Sequence, residues 1–351
     1  MDYRQLGRSG LRVSALTLGT MTFGGRDNFA NVGSTDAATA ARQIDMCLDA
    51  GVNLIDTADV YSDGLSEEIL GQVLSDRGRR ERALVATKAR MPMGDRPNDA
   101  GLSRHHLVEA CDASLKRLGL DHIDLYQVHE WDGQTPVEET LGALDDLVRA
   151  GKIRYAGCSN FCGWQLAKSL GVSDRLNLTR YASQQIYYSL QSRDAEYELV
   201  PAGLDQGVGI LVWSPLAGGL LSGKYRRGQQ GPEGSRHLTD WNEPPVRDPE
   251  QTYDVIEALV EIAQAHDVSA AQIALAWLLG RPGVTSIVVG ARTEEQLADN
   301  LGAIDVVLSD EERARLDELS APPLIYPHWH QVKTSADRLG PADRAWLEPY
   351  L

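Results

Sequence analysis

Short apolar runs alternate with amphipathic stretches along most of the chain. The apolar runs are continuous, which is typical of strands that are buried on both faces. They predict eight strands, at Leu16–Leu18, Val52–Ala58, Ala83–Thr87, Ile123–Val128, Ile153–Ala156, Ala182–Ile186, Gly209–Val212 and Ser286–Val289. Between them, helical spacing of apolar residues predicts the helices Asp36–Asp49, Glu67–Leu74, Leu107–Leu118, Pro136–Ala150, Tyr253–Ala265 and Ala270–Leu279. Alternating strands and helices imply a parallel sheet, and this number of units predicts a closed (β/α)8 TIM barrel, an α/β fold.

Three segments lie outside the alternation. The start of the chain predicts a β-hairpin that turns at residues 8–10, and the stretch Tyr225–Glu250, rich in Gly, Pro, Arg and Gln, predicts a long surface loop. The end of the chain carries several prolines and aromatic residues, and long segments of this kind in compact domains often bind or cover ligands. We therefore predict one barrel domain over residues 1–320 and a C-terminal tail, residues 321–351, that packs on the same domain over the barrel mouth.

Charge and cysteine content narrow the choice of partners. The chain has 351 residues and a formal net charge of −16. An acidic protein repels nucleic acids and anionic membranes, so we expect neither as a partner. Its four cysteines show no regular spacing, which favours reduced thiols in a cytoplasmic protein and no metal site. The polar start shows no signal-peptide pattern, and no apolar run reaches the roughly 18 residues of a membrane-spanning helix.

Four polar residues are predicted to meet at one end of the barrel. Reactive groups of such barrels lie at the carboxyl ends of the strands, where this chain has Asp56, Tyr61, Lys88 and His129. A nearby ammonium favours a phenolate, so we expect Lys88 to lower the pKa of Tyr61 and make it an effective general acid. Asp56 would keep Lys88 charged, and His129 would hydrogen-bond a substrate oxygen. This set suits protonation of a carbonyl oxygen while a hydride reaches the carbon.

Alternatives to this interpretation stay open for each residue. Taken alone, the aspartate suits a helix cap, the tyrosine a rim aromatic, the lysine a surface amine and the histidine a structural hydrogen bond. Their joint placement at consecutive strand ends favours catalysis. A metal site built from Asp56, Asp59, His129 and Asp132 is a less favoured hypothesis, because Lys88 would repel a cation.

A second candidate site follows the last predicted strand. The chain passes through Gly290 into a helix that begins near Thr293, and Thr293 and Gln296 have the spacing of a capping box. Free N–H groups and the helix dipole attract a phosphate there, and Arg292 adds a positive charge. The alternative is an ordinary capped helix. No GxGxxG motif follows a strand, so a Rossmann-type site is not supported, and the glycines of SPLAGGLLSGKY either admit a pyrophosphate or merely turn the chain.

Several stretches, taken in order, resemble the aldo-keto reductase family over nearly the whole chain. They are LGTMTFG, GVNLIDTADVYSDGLSEEILG, VATK, DHIDLYQVH, GKIRYAGCSN, SQQIYYSL, VWSPLAGGLLSGKY and GARTEEQLADN. The resemblance implies an oxidoreductase that reduces an aldehyde or ketone with NADP(H) bound across the barrel mouth. It implies Asp56, Tyr61, Lys88 and His129 as the catalytic residues, with Tyr61 as the proton donor.

The resemblance also implies which residues bind the cofactor. At the nicotinamide and its ribose these are Thr20, Met21, Asp56, Ser159, Asn160, Gln185 and the stacking Trp213. Over the pyrophosphate they are Ser214, Leu216, Gly218, Lys224 and, from the long loop, Arg236. At the adenosine and its 2′-phosphate they are Gly290, Arg292, Gln296 and Asn300. A guanidinium engages a phosphate through several donors, so Arg292 implies NADP(H) over NAD(H), although some members of the family carry a lysine where this chain has Gly290.

The biological role and the substrate are less defined. SQQIYYSL and VWSPLAGGLLSGKY also resemble the β-subunits of potassium channels, so an NADP(H)-sensing regulatory protein with little turnover is the alternative function. We expect Met21, Phe23 and Trp131, with Tyr326 and Trp329 from the tail, to form an aromatic-walled substrate pocket. The sequence does not predict which carbonyl compound enters this pocket, the direction of the reaction in the cell or the oligomeric state.

Overall fold

The computed structural model describes residues 1–26, 29–229, 231 and 243–351. Its strands are β1 (Tyr3–Gln5), β2 (Arg12–Ser14), β3 (Leu16–Gly19), β4 (Leu54–Asp56), β5 (Leu84–Ala89), β6 (Ile123–Val128), β7 (Ile153–Ser159), β8 (Tyr181–Tyr187), β9 (Gly209–Trp213) and β10 (Val284–Val289). Its helices are α1 (Ala37–Asp49), α2 (Leu65–Leu74), α3 (Arg77–Arg82), α4 (Arg104–Leu118), α5 (Val137–Arg149), α6 (Gly163–Leu176), α7 (Leu199–Gln206), α8 (Pro249–His266), α9 (Ala270–Leu279), α10 (Glu294–Leu301), α11 (Asp310–Leu319), α12 (His328–Thr334) and α13 (Pro341–Leu347). Arg236, a predicted cofactor residue, lies outside the described residues.

Within the described ranges, eight strands form one closed barrel. β3 to β10 lie in chain order, each parallel to the next, and β10 returns to β3 through the pair Ile287 and Leu16. β1 and β2 form a separate antiparallel hairpin, with Tyr3 opposite Ser14. The predicted (β/α)8 barrel with an N-terminal hairpin is therefore confirmed.

The hairpin closes the amino-terminal end of the barrel. Inward-facing side chains from β4, β5, β6 and β9 form one buried apolar cluster with Leu6 and Val13 of the hairpin region. The N–H of Arg8 donates to the carbonyl of Gly207 at 2.8 Å, which ties the turn to the loop before β9. Burial of each large apolar side chain contributes roughly 1.5–3 kcal/mol. At the opposite, carboxyl end of the barrel, the inward-facing side chains are polar.

The helices surround the barrel. Of those that the sequence predicts, α1, α5, α9 and α10 begin within one residue of the predicted start, whereas α2, α4 and α8 begin two to four residues earlier. α1 starts after Asp36, whose Oδ1 accepts a hydrogen bond from the N–H of Thr39 at 2.8 Å. α9 has the predicted bounds, whereas β4 is shorter than the predicted strand Val52–Ala58. Helices without a predicted counterpart are α3, α6, α7 and α11 to α13. Among the described helices, none is long and apolar enough to cross a membrane.

The C-terminal tail packs beside α7. Trp346 of α13 is 2% exposed, and its ring meets those of His328 and Tyr197 at centroid distances of 4.8 and 5.5 Å. Tyr326 and Trp329 are 72% and 50% exposed and lie against each other, with 6.1 Å between ring centroids. These contacts do not support the expectation that the two side chains wall a substrate pocket. The division into a barrel domain and a tail stays a prediction.

Candidate active site

Two buried side chains of opposite charge lie at the carboxyl end of the barrel. Asp56 ends β4, and Lys88 lies near the end of the neighbouring strand, β5. Lys88 Nζ donates to Asp56 Oδ2 at 2.5 Å, and the two side chains are 0% and 3% exposed, respectively. An unpaired charge at this depth would be costly, so each ion holds the other in place.

Two amides complete the surroundings of the Asp56 carboxylate. Gln127 Nε2 from β6 and Gln185 Nε2 from β8 donate to Asp56 Oδ1 at 3.1 and 2.9 Å. Lys88 Nζ also donates to the carbonyl of Thr57 at 2.9 Å. Sequence reasoning missed Gln127, for which the only signal is an inward position in β6. Gln185, expected at a nicotinamide carboxamide, donates its amide N–H to Asp56 in this structure.

The hydroxyl of Tyr61 lies beside the ion pair. Lys88 Nζ donates to it at 3.4 Å and lies 5.0 Å from the centroid of the ring. The half-buried ring is in edge contact with Phe29 at 5.6 Å and with His129 at 5.9 Å between centroids. The structure thus brings the four predicted catalytic residues together. It adds Phe29, which sequence reasoning did not single out.

Tyr61 keeps its proton in these surroundings. Burial raises the pKa of Tyr61 and outweighs the Lys88 charge, which acts in the opposite direction. The expected lowering of the Tyr61 pKa is therefore wrong in its net direction, because the phenolate would be poorly solvated and Asp56 already balances Lys88. Burial alone would lower the pKa of Lys88, but the Asp56 carboxylate overcomes this effect and the pKa is raised. The site at neutral pH thus contains a phenol next to an ammonium.

His129 is neutral. Burial lowers the pKa of His129 well below its ordinary value, and the charges of Lys88 and Arg90 lower it further. Its main-chain carbonyl accepts a hydrogen bond from Asn160 Nδ2 at 3.1 Å. Its Nδ1 is buried and has no hydrogen-bond partner among the residues that the structure describes. A neutral imidazole keeps one N–H donor, which can be offered to an oxygen atom bound at the mouth.

The predicted nicotinamide residues of β7 to β9 form one hydrogen-bonded group. Ser159 Oγ and the N–H of Asn160 donate to the carbonyl of Gln185 at 3.0 and 3.1 Å. Trp213 Nε1 donates to Asn160 Oδ1 at 3.0 Å. The Trp213 ring lies 5.0 Å from that of Tyr187, with 32° between their planes. This group adjoins Asp56 through Gln185, so hydroxyl, amide and indole groups lie next to the buried ion pair.

The segment after β9 forms a tight turn next to Lys224. Ser214, Gly218 and Gly219 have positive φ values of 50°, 66° and 93°. The N–H of Gly218 donates to Ser214 Oγ at 3.1 Å, and a Cβ on Gly219 would lie 3.4 Å from Lys224 Nζ. Leu216 packs partly against the hydrophobic core. A turn of this kind lets the main chain approach a phosphate closely, and the lysine adds a positive charge.

Helix α10 begins at the predicted second site. Thr293 Oγ1 accepts from the N–H of Gln296 at 3.2 Å. Gln296 Oε1 accepts from the N–H of Arg292 at 3.1 Å, however, and not from that of Thr293. The predicted capping box is therefore half formed, because the glutamine side chain caps the residue before the N-cap. Arg292 Nη2 donates to the carbonyl of Asn31 at 3.2 Å, so the guanidinium spans the gap to the loop after β3.

Two more predicted adenosine residues flank this helix. Gly290 is exposed at the end of β10, and Asn300 is buried in the last turn of α10. The first turn of the helix is acidic, but Glu294 forms an ion pair of 2.6 Å with Arg42. Arg42 thus balances a carboxylate beside the site.

The predicted cofactor residue Thr20 and the predicted substrate residues differ in their placement. Thr20 is fully buried, and its hydroxyl donates to the carbonyl of Asp56 at 3.2 Å. Met21 is half-buried in the loop after β3. Phe23 is fully buried in the hydrophobic core, so it is not open to a ligand and the expectation for it is corrected. Trp131 packs its ring against Trp164 of α6, 5.6 Å between centroids, which places it towards the helix layer.

The metal alternative is not supported by the geometry. Asp59 is fully buried, and its Oδ1 accepts the N–H of Val60 at 2.7 Å. Asp132 Oδ2 accepts the N–H of Leu102 at 2.8 Å, which directs it to the loop before α4. Among the described residues, no group of three or more histidine, cysteine or acidic side chains is arranged to hold a metal ion.

The structure thus combines a parallel eight-stranded barrel with a buried lysine–aspartate pair beside a tyrosine at its carboxyl end, where α/β-barrel enzymes carry their active sites. The profile of the aldo/keto reductase family matches residues 15–321. The chain therefore belongs to the aldo/keto reductase family, whose members generally use NAD(P)H.

Individual relatives cover almost the whole chain. An uncharacterized oxidoreductase YrpG of Bacillus subtilis is 39% identical, over 92% of this chain and 97% of its own. A probable voltage-gated potassium channel subunit beta of rice (Oryza sativa) is 38% identical, over 88% of this chain and 92% of its own. A versiconal hemiacetal acetate reductase of Aspergillus parasiticus is 34% identical, over 93% of this chain and 99% of its own. The relatives thus include both named oxidoreductases and named channel subunits.

Proposed function

We propose that the protein reduces an aldehyde or ketone to the alcohol with NADPH, Tyr61 being the proton donor. The observation that carries the proposal is the position of the Tyr61 hydroxyl, 3.4 Å from Lys88 Nζ, with the ring of His129 5.9 Å from that of Tyr61. Burial raises the pKa of Tyr61 and lowers that of His129, which leaves a hydrogen-bond donor on each side chain. A carbonyl oxygen bound here would accept hydrogen bonds from Tyr61 and His129. NADPH would supply the hydride to the carbonyl carbon, and the proton on the product oxygen would come from Tyr61 Oη.

The buried ion pair serves the proton transfer. As Tyr61 gives up its proton, negative charge develops on Oη, and the Lys88 ammonium stabilises it at short range. Gln127 and Gln185 hold the second oxygen of Asp56 by hydrogen bonds, and the Asp56 carboxylate raises the pKa of Lys88. Lys88 can therefore stay charged throughout. Neutral His129 contributes an N–H donor without adding a positive charge that would compete with Lys88.

The residues along the barrel mouth are suited to bind the dinucleotide cofactor NADP(H). The group of Ser159, Asn160 and Trp213 would hold the nicotinamide, since it offers hydroxyl, amide and indole groups beside the catalytic aspartate. Lys224, above the tight turn after β9, would hold the pyrophosphate. Arg292 would bind the 2′-phosphate and so favour NADP(H) over NAD(H).

The test is the decay of NADPH absorbance with a small panel of carbonyl compounds, repeated with NADH. The proposal predicts turnover of at least one aldehyde or ketone and a lower KM for NADPH than for NADH. Turnover of no carbonyl compound by protein that binds NADPH would contradict it. Equal KM values for the two cofactors would contradict the role of Arg292 while leaving the reductase in place.

A second candidate function is supported by the relatives named as potassium channel subunits. In that case the protein would bind NADP(H) tightly, turn over slowly, and act through a protein partner. Measuring NADPH binding by fluorescence together with the turnover number separates the two. Fast turnover of a carbonyl compound favours the reductase, whereas tight binding with negligible turnover and a stable protein complex from its own cells favours the sensor.

A further inference from the structure

One arginine at the barrel mouth, Arg90, has entered so far only through its charge, which helps to lower the pKa of His129. Arg90 directly follows β5, two residues after Lys88, at the carboxyl end of the barrel. The N–H of His129 is bound to the carbonyl of Ala89 at 3.0 Å, which brings the start of the Arg90 loop against His129. The guanidinium charge also lies close enough to help lower the pKa of His129.

The side chain of Arg90 is only loosely held by the protein. Its Nη1 lies 3.5 Å from Glu130 Oε2 and 3.7 Å from Met91 Sδ, and its side chain is 33% exposed. Its Nε is buried and has no hydrogen-bond partner among the described residues. A partly exposed ion pair at such a distance contributes little to stability. Arg90 therefore keeps donor capacity that the fold does not use.

Arg90 differs in its charge balance from Lys88 and His129, the other basic side chains at the barrel mouth. The ammonium of Lys88 is neutralised by Asp56 at 2.5 Å, and His129 is neutral. The chain as a whole carries −16, so an anionic substrate gains no attraction from the overall charge of the protein. A guanidinium next to the reacting groups offers two parallel donors that match a carboxylate.

We propose that Arg90 binds a carboxylate on the substrate, so that the preferred substrates are aldehydes or ketones that also carry a carboxylate group. The proposal rests on the proposed reductase function and names its substrate class. The carbonyl would lie at Tyr61 and His129 and the carboxylate at Arg90. Glu130, 3.5 Å from the guanidinium, would compete with that carboxylate.

The test uses matched substrates, namely benzaldehyde and the meta and para isomers of carboxybenzaldehyde, with NADPH. The measured quantity is the ratio of kcat/KM for the better carboxylated isomer to that for benzaldehyde. We expect a ratio above one in the wild type and a fall of about tenfold to a hundredfold in Arg90→Gln, since a hydrogen bond to a charged group is lost. Arg90→Lys should restore part of it, and Glu130→Gln should raise it.

The control is Arg154→Gln, which removes the same charge from an exposed residue at the opposite end of the barrel, near the start of β7. It should leave the ratio unchanged. A wild-type ratio of one or below, or an equal fall in Arg90→Gln and Arg154→Gln, would overturn the role of Arg90. Benzaldehyde turnover would still support the reductase in that case, whereas turnover of no carbonyl compound would overturn the proposed function itself.

Discussion

Removal of the Lys88 ammonium should destabilise the protein through the carboxylate that it leaves behind. In Lys88→Met the Asp56 carboxylate stays buried, at 3% exposed, without its partner at 2.5 Å. Breaking a buried pair from one side costs roughly 3–5 kcal/mol. Gln127 and Gln185 still donate to Asp56, so we expect a loss of about 3 kcal/mol in the free energy of unfolding. Asp56→Asn should cost a similar amount, because it leaves the ammonium buried.

The double variant distinguishes an interacting pair from two independent residues. Lys88→Met/Asp56→Asn removes both charges, so its loss should be smaller than the sum of the single losses by about 2–3 kcal/mol. Urea unfolding followed by both tryptophan fluorescence and circular dichroism gives these values. The exposed pair Arg77 and Glu81, with side chains 90% and 62% exposed, is the matched control and should show a coupling of no more than about 0.5 kcal/mol. Additive losses for the buried pair would refute this reasoning.

Further predictions concern the cofactor, pH, the hairpin and the pocket. Arg292→Ala should raise the KM for NADPH about tenfold to a hundredfold and barely change that for NADH; an equal rise for both would contradict phosphate recognition. The pKa of His129 is lowered in the folded state. Below about pH 6.5 the unfolded chain therefore binds a proton at this residue that the folded chain does not. As the pH decreases further, the free energy of unfolding should fall by up to about 1.4 kcal/mol per pH unit. His129→Gln should flatten that slope, and an unchanged slope would contradict the shift. Leu6→Ala should cost about 2–5 kcal/mol in urea unfolding if the hairpin closes the barrel, and a loss within about 0.5 kcal/mol would contradict this. Phe29→Ala should raise the KM for aromatic aldehydes more than that for acetaldehyde, and equal changes would place Phe29 outside the pocket.

The barrel could be predicted because its signals are local. Buried parallel strands are short and continuously apolar, and eight of them separated by helices leave few other arrangements. The candidate catalytic residues could be selected by one rule, since Asp56, Lys88 and His129 lie at or next to the carboxyl ends of strands. Helix α6 was missed, and its sequence begins with Gly163 and contains Gly171, which weaken a helical pattern.

The features of the site that the sequence did not predict depend on contacts between distant parts of the chain. The direction of the Tyr61 pKa shift is the difference between burial and the Lys88 charge, and the depth of burial cannot be obtained from strand order. Gln127 becomes recognisable only when β4 and β6 are seen to face one interior. Phe23 and Phe29 lie in one loop, and only the folded loop shows that Phe23 is buried while Phe29 meets Tyr61.

A single-turnover experiment with Tyr61→Phe tests the assigned proton donor. Enzyme in excess over NADPH is mixed with a carbonyl substrate, and NADPH fluorescence reports both cofactor binding and its oxidation. The account predicts unchanged NADPH binding and oxidation slower by about a hundredfold to ten-thousandfold, because a general acid is lost. Tyr126→Phe, which removes a buried hydroxyl that donates to the carbonyl of Leu107 at 3.4 Å, should oxidise NADPH at the wild-type rate. Oxidation at the wild-type rate in Tyr61→Phe would contradict the assignment of Tyr61 as the proton donor.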